Sequence, residues 1–181
     1  MKAKEYMKTL SDAALSAPTS SIDAALDVLK QGLERNSKIF TCGNGGSALT
    51  ASHFVTDWAK MRWINKGKKF NAICLSDNIG MLTAYANDVS YADVFSEPLK
   101  NYGTIDDILV VVSGSGNSEN VVKALETAKS LGIKTIGLSG YSGGKVKELS
   151  DISIHYPIHD MQIVEDLHLS FGHIVMKQLC I

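Results

Sequence analysis

His53 and Asp57 lie four residues apart in "SALTASHFVTDW". On a helix that spacing makes their side chains neighbours. Such a pair serves as half of a metal site, as an acid/base couple, or only as a surface hydrogen bond. Near the C-terminus, "VEDLHLSFGHI" carries Glu165, Asp166, His168 and His173. Glu165 and His168, three apart, face together on a helix. Glu165 and His173 are about 80° apart around the axis and about 12 Å apart along it. A lone helix of this kind is ordinary, whereas two converging helices would form a histidine–carboxylate set suited to zinc.

A different chemistry is written in "SGSGNSENV", residues 113–121. Three serines, two glycines and Asn117 stand between an apolar run and a helix start. The first N–H groups of a helix are unpaired and its dipole favours an anion. Ser113, Ser115 and Ser118 add hydroxyl donors, and the glycines let an anion approach the backbone. No P-loop lysine is present, so a monophosphate suits the turn better than a nucleoside triphosphate.

Two further glycine turns fit known patterns. "GNGGSA", residues 43–48, fits the dinucleotide pattern after a strand. The acid expected about 20 residues on is missing, because Asp77 lies too far along. "GYSGG", residues 140–144, fits a nucleophile elbow, with Asp160 and His173 following in hydrolase order. A plain strand-to-helix turn uses the same residues, so this reading ranks below the dinucleotide one.

These turns need elements to hold them. Helical spacing covers residues 1–15 and 20–35, with Ile22, Ala25, Leu26, Leu29 and Leu33 on one face of the second. A strand over "KIFTCG" precedes a helix from Ala48. "KFNAICLS" reads as a second strand, and 78–101 as helical with an internal loop. "DDILVVVSGSGNS" is the clearest strand. A helix over "NVVKALETAKSLG" follows and stops at Gly132. "IKTIGLSG" is strand, "GKVKELS" a short helix, "ISIHYP" the last strand, and 160–179 the final helix. Strands alternating with helices predict an α/β fold: a mostly parallel sheet flanked by helices, with ligands beyond the strands' carboxyl ends.

The 181 residues suffice for one domain with a sizeable core, and 45% are hydrophobic. With 18 basic and 19 acidic residues the net charge is −1, which offers no electrostatic case for a nucleic-acid or membrane partner. The three cysteines form no spacing motif and read as reduced thiols. No apolar run approaches the ~20 residues of a membrane span. The expected location is the cytoplasm.

The stretches "CGNGGSALTASHF", "LTAYANDVSYADVFS", the long segment from "SGSGNSENV" to "KELSD", and "EDLHLSFGHI" together resemble the SIS (sugar isomerase) domain family, in particular its phosphoheptose isomerases. The similarity spans nearly the whole chain. It implies a single domain over 1–181 with a three-layer α/β sandwich. It also implies a homotetramer with interfacial sites, in which helices 1–36 contribute to packing. The implied substrate is a sugar phosphate: sedoheptulose 7-phosphate, converted to a manno-heptose 7-phosphate for surface polysaccharide. By position, Ser113, Ser115 and Ser118 match the phosphate serines. Asn44, Gly45, Gly46 and Ser47 match a first substrate loop, and Asn87 and Asp88 a second. His53, Asp57, Glu165 and His173 match a zinc and acid/base set, with Asp57 and His173 as catalytic residues and Glu165 also facing substrate. The resemblance selects His173 over His168. Asp57 stands where the family has Glu, Glu165 where it has Gln, Met61 where it has Arg, and Gln162–Ile163 where it has Asp–Arg. A non-catalytic phosphosugar-binding or initiator-binding SIS protein is the alternative.

Overall fold

The computed structural model describes residues 1–181. In chain order the elements are α1 (Ala3–Leu15), α2 (Thr19–Arg35), β1 (Ile39–Gly43), α3 (Gly46–Ile64), β2 (Ala72–Cys74), α4 (Ile79–Asp88), α5 (Ser96–Tyr102), β3 (Ile108–Ser113), α6 (Glu119–Ser130), β4 (Lys134–Ser139), α7 (Gly144–Leu149), β5 (Ile152–His155) and α8 (Met161–Leu179). A one-turn helix at Tyr91–Asp93 joins α4 to α5. All five strands pair in parallel in the order β2-β1-β3-β4-β5.

Helices cover both faces, so the central strands are apolar on both sides, and all six residues of β3 are buried. Alternate residues feed two cores. Ile39, Ile108, Val110, Val112, Ile136, Leu138 and Ile154 pack under α2, α3 and α8. Phe40, Cys42, Leu109 and Val111 face Leu99 of α5, Val121, Ala124, Leu125 and Ala128 of α6, and Val146 of α7. The result is the three-layer sandwich expected from the sequence.

Local signals set the helix ends. Asn36 closes α2 in the left-handed conformation (φ 59°), and Gly132 (φ +72°) follows the last turn of α6. Asp160 caps α8, its Oδ1 accepting from the N–H groups of Gln162 (3.1 Å) and Ile163 (3.3 Å). The predicted second strand shrinks to three residues, because β2 is an edge whose only partner is β1. Helix α3 begins at Gly46, two residues before the apolar stripe, since glycine and serine open its first turn.

Candidate active site at the switch point of the sheet

In a 2-1-3-4-5 sheet the connections leave β1 and β3 in opposite directions, opening a crevice at their carboxyl ends. Register aligns those ends, with Gly43 opposite Val112. A cavity of about 170 Å³ lies there, lined by Asn44, Ser47, Val112, Ser113, Gly114, Ser115, Ser118, Met161 and Glu165. The turns at 43–48 and 113–118, two of the three singled out in the sequence, therefore meet in one pocket.

The serine loop is tightly folded. Ser113 Oγ accepts from Gly116 N (3.2 Å), and Ser115 Oγ accepts from Asn117 N (3.3 Å). Gly116 has φ +69°, and a Cβ there would stand 2.0 Å from the Gly143 carbonyl oxygen, so only glycine fits. Ser118 precedes α6 without capping it, which leaves its hydroxyl free for a ligand. No lysine or arginine lines this pocket. An anion here would be held by hydroxyls and the helix N-terminus alone.

The first loop is held by a contact the sequence reading missed. Asn44 Nδ2 donates to Asn120 Oδ1 (2.8 Å), and Asn120 Nδ2 returns a bond to Asn44 Oδ1 (2.9 Å). Tyr91 OH also donates to Asn44 Oδ1 (3.0 Å). Asn120 is buried at the start of α6. A buried amide must find partners, but the burial of Asn120 follows from the fold, so the sequence carried no signal of this contact.

His53 and Asp57 share one face of α3, and His173 of α8 joins them. Asp57 Oδ2 lies 3.1 Å from His53 Nε2 and 4.0 Å from His173 Nε2. The two imidazoles meet edge to face with centroids 5.4 Å apart. One ligand atom from each of the three residues lies within 4.8 Å of the others. Two imidazoles and a carboxylate form a donor set that could hold a metal ion, and their chemistry suits zinc. The Asp57 side chain is 18% exposed and both histidines about half exposed, so the group is reachable from solvent.

Other expected site residues fall elsewhere. Glu165, expected as a fourth ligand, is not in this group. Two turns earlier on α8, it lines the serine pocket, and a Cβ on Gly46 would lie 3.1 Å from its Oε1. Its carboxylate has no hydrogen bond or ion pair within the chain. His168 does not face with Glu165: a three-residue step leaves about 60° between them, enough to turn His168 into the core, where it is fully buried. Burial lowers its pKa to about 4, so the ring is neutral. Asn87 and Asp88 are exposed at the end of α4, bonded to one another (2.7 Å) and outside the pocket lining. Gly45 and Gly46 are exposed beside it. Arg62 does not take over the role of the missing arginine, because it donates to the carbonyls of Lys68 (3.0 Å) and Leu179 (2.7 Å). The elbow reading also fails: Asp160 caps α8 while His173 stands with Asp57.

Residues 4–140 match the SIS domain family, and the chain belongs to it. Within that family it groups with the phosphoheptose isomerases. It is 41% identical over 162 residues to the phosphoheptose isomerase of Helicobacter pylori strain P12, covering 86% of this chain and 84% of that protein. Its fold superposes on a phosphoheptose isomerase from Francisella tularensis with a TM-score of 0.89 at 28% identity, covering 96% and 94% of the two chains. The phosphoheptose isomerase GmhA from Neisseria gonorrhoeae gives the same score and identity, covering 97% and 94%.

Proposed function

We propose that this protein is an aldose–ketose isomerase that converts sedoheptulose 7-phosphate to D-glycero-D-manno-heptose 7-phosphate. The observation that carries this reading is the spacing of two sites along the α3–α8 pair. Glu165 marks the serine pocket and His173 the histidine–carboxylate group, eight residues and about 12 Å apart along α8. A sugar whose phosphate and carbonyl lie at opposite ends of a long carbon chain suits that separation. The relatives named above supply the substrate class.

Ser113, Ser115, Ser118 and the start of α6 hold the phosphate. Asn44, Gly45, Gly46 and Ser47 line the path of the carbon chain, and Glu165 accepts hydrogen bonds from its hydroxyls. At the far end Asp57 and His173 move the proton. One takes it from C1, beside the carbonyl; the C1–C2 enediol forms as O2 gains a proton; O1 then loses its proton and C2 receives one. Without a metal, His53 orients Asp57 through their hydrogen bond. His53, Asp57 and His173 are the residues that would hold zinc, one ion per site. When bound, it supplies Lewis-acid polarisation of the substrate oxygens.

The whole chain acts as one SIS domain in a cytoplasmic homotetramer with interfacial sites, serving heptose supply for surface polysaccharide. Two features support the assembly. Helix α1 buries only Ala13, leaving Met7 62% and Leu15 86% exposed. Asn87 and Asp88, away from their own pocket, are free to serve a neighbour's. Purified protein given sedoheptulose 7-phosphate tests the activity: appearance of the aldose is expected, and a folded protein that binds the sugar phosphate without turnover overturns it in favour of a binding role.

A further inference from the structure

The balanced total charge conceals a segregated segment. Residues 58–76 contain Lys60, Arg62, Lys66, Lys68 and Lys69 and no acid, so the rest of the chain is correspondingly acidic. At the centre of this segment, the end of α3 presents Trp63, 81% exposed, beside Ile64, 52% exposed. Both are poor choices for open water. The other tryptophan, Trp58, is fully buried and donates to the Gly172 carbonyl (2.9 Å).

The cations around Trp63 are largely uncommitted. Lys66, Lys68 and Lys69 are exposed and form no ion pair. Lys60 lies 3.7 Å from Asp57 Oδ1, and Arg62 binds two carbonyl groups while keeping its charge. A groove of about 350 Å³ adjoins them, lined by Lys30, Leu33, Glu34, Arg62, Lys68, Gln178 and Leu179. Glu34 is its single acid.

We propose that the end of α3 and the loop that follows it, Lys60–Lys69, form a docking surface for an anionic phospholipid bilayer. Trp63 and Ile64 enter the headgroup layer, and Lys66, Lys68 and Lys69 face its phosphates. The chemistry selects this occupant. Tryptophan prefers the membrane–water boundary, where its ring is buried and its N–H stays wet. Clustered lysines are drawn to an anionic leaflet, and the attraction is screened by salt. No helix is long and apolar enough to cross the membrane, so the contact is peripheral. The inference is independent of the isomerase reading: only Lys60, 3.7 Å from Asp57 Oδ1, reaches the histidine group, and Trp63, Ile64, Lys66, Lys68 and Lys69 take no part in it or in the serine pocket.

The test uses the full chain and its tryptophan fluorescence. Only Trp63 is exposed, so a change on vesicle addition reports that residue. With vesicles of equal parts phosphatidylglycerol and phosphatidylcholine, the emission shifts to the blue and the protein co-sediments. Vesicles of phosphatidylcholine alone have no effect, and about 1 M salt, where the Debye length is about 3 Å, releases the protein. Lys66→Gln/Lys68→Gln/Lys69→Gln weakens binding about 100-fold, at about fivefold per cation. Trp63→Ala weakens binding and abolishes the shift. Isomerase turnover by both variants stays at the native level, which also shows that they are folded. Three results overturn the proposal: no binding to anionic vesicles; binding without a shift in emission, as a general polyanion interaction would give; or Trp63 emission already blue and shielded from quenchers without lipid, as a protein–protein interface would give.

Discussion

The ring of Phe54 on α3 occupies the space where Gly172 of α8 would carry a side chain. A Cβ on Gly172 would stand 2.2 Å from both Cδ1 and Cε1 of that ring. Phe54 stacks on Trp58 (centroids 5.1 Å), whose Nε1 donates to the Gly172 carbonyl. This close approach brings His173, the next residue, within 4.0 Å of Asp57. The site thus depends on a missing methyl group one residue away.

Gly172→Ala is expected to separate α3 from α8 and destabilise the protein by about 1–3 kcal/mol through overpacking. Turnover should fall by about 100-fold, because a displacement of about 1 Å is enough to misplace a reacting group. Phosphate affinity should change little. Denaturant unfolding and steady-state kinetics measure the two effects, and native turnover by the variant would contradict the packing argument.

Ser115→Ala/Ser118→Ala should raise KM for the sugar phosphate about 100-fold, since each hydrogen bond to a charged group contributes about 1.5 kcal/mol. The pocket has no cation to compensate. The effect should be on KM, with kcat less affected, because in the proposed mechanism these hydroxyls hold the end of the substrate remote from the reacting carbons.

Zinc affinity, measured by competition with a chromophoric chelator, should fall by more than tenfold in His53→Ala or Asp57→Asn. Glu165→Gln should leave it nearly unchanged, because Glu165 stands with the serines. A comparable loss in Glu165→Gln would show that α8 rearranges to bring in a fourth ligand.

His168 makes a pH prediction. Its pKa is lowered from 6.5 to about 4 by burial, so the unfolded chain takes up the proton first as pH falls. Stability from this residue is present above about pH 6.5 and is lost progressively toward pH 4, by about 3 kcal/mol in total. Carboxylates such as Asp93 and Asp151, whose pKa values are lowered, add their own acid loss. The difference between native protein and His168→Met isolates the histidine: the variant should show a shallower decline over that range.

Much of this site was legible in the sequence because it rests on local rules. Ser113–Ser118 between an apolar run and a helix announces an anion site, and His53–Asp57 at a four-residue spacing announces a shared helix face. What joins distant segments was not legible. Gly172 reads as any helical glycine until Phe54 is seen against it. Asn44 and Asn120, 76 residues apart, give no sign of their reciprocal amide bonds. Glu165 and His173 share a helix, but the approach of α3 decides which of them meets His53. The lysines at 60–69 were hidden differently: summing charge over the chain cancels a cluster that only its position reveals.

In the proposed mechanism Asp57 and His173 carry a proton between adjacent carbons of a substrate anchored by the serine loop. Sedoheptulose 7-phosphate followed by NMR in deuterated water, with native protein and with His173→Ala, tests it most directly. Native protein is expected to form the aldose with deuterium entering at the reacting carbons, while His173→Ala binds the sugar phosphate but neither isomerises it nor exchanges its protons. Native-rate turnover and exchange by His173→Ala would contradict it.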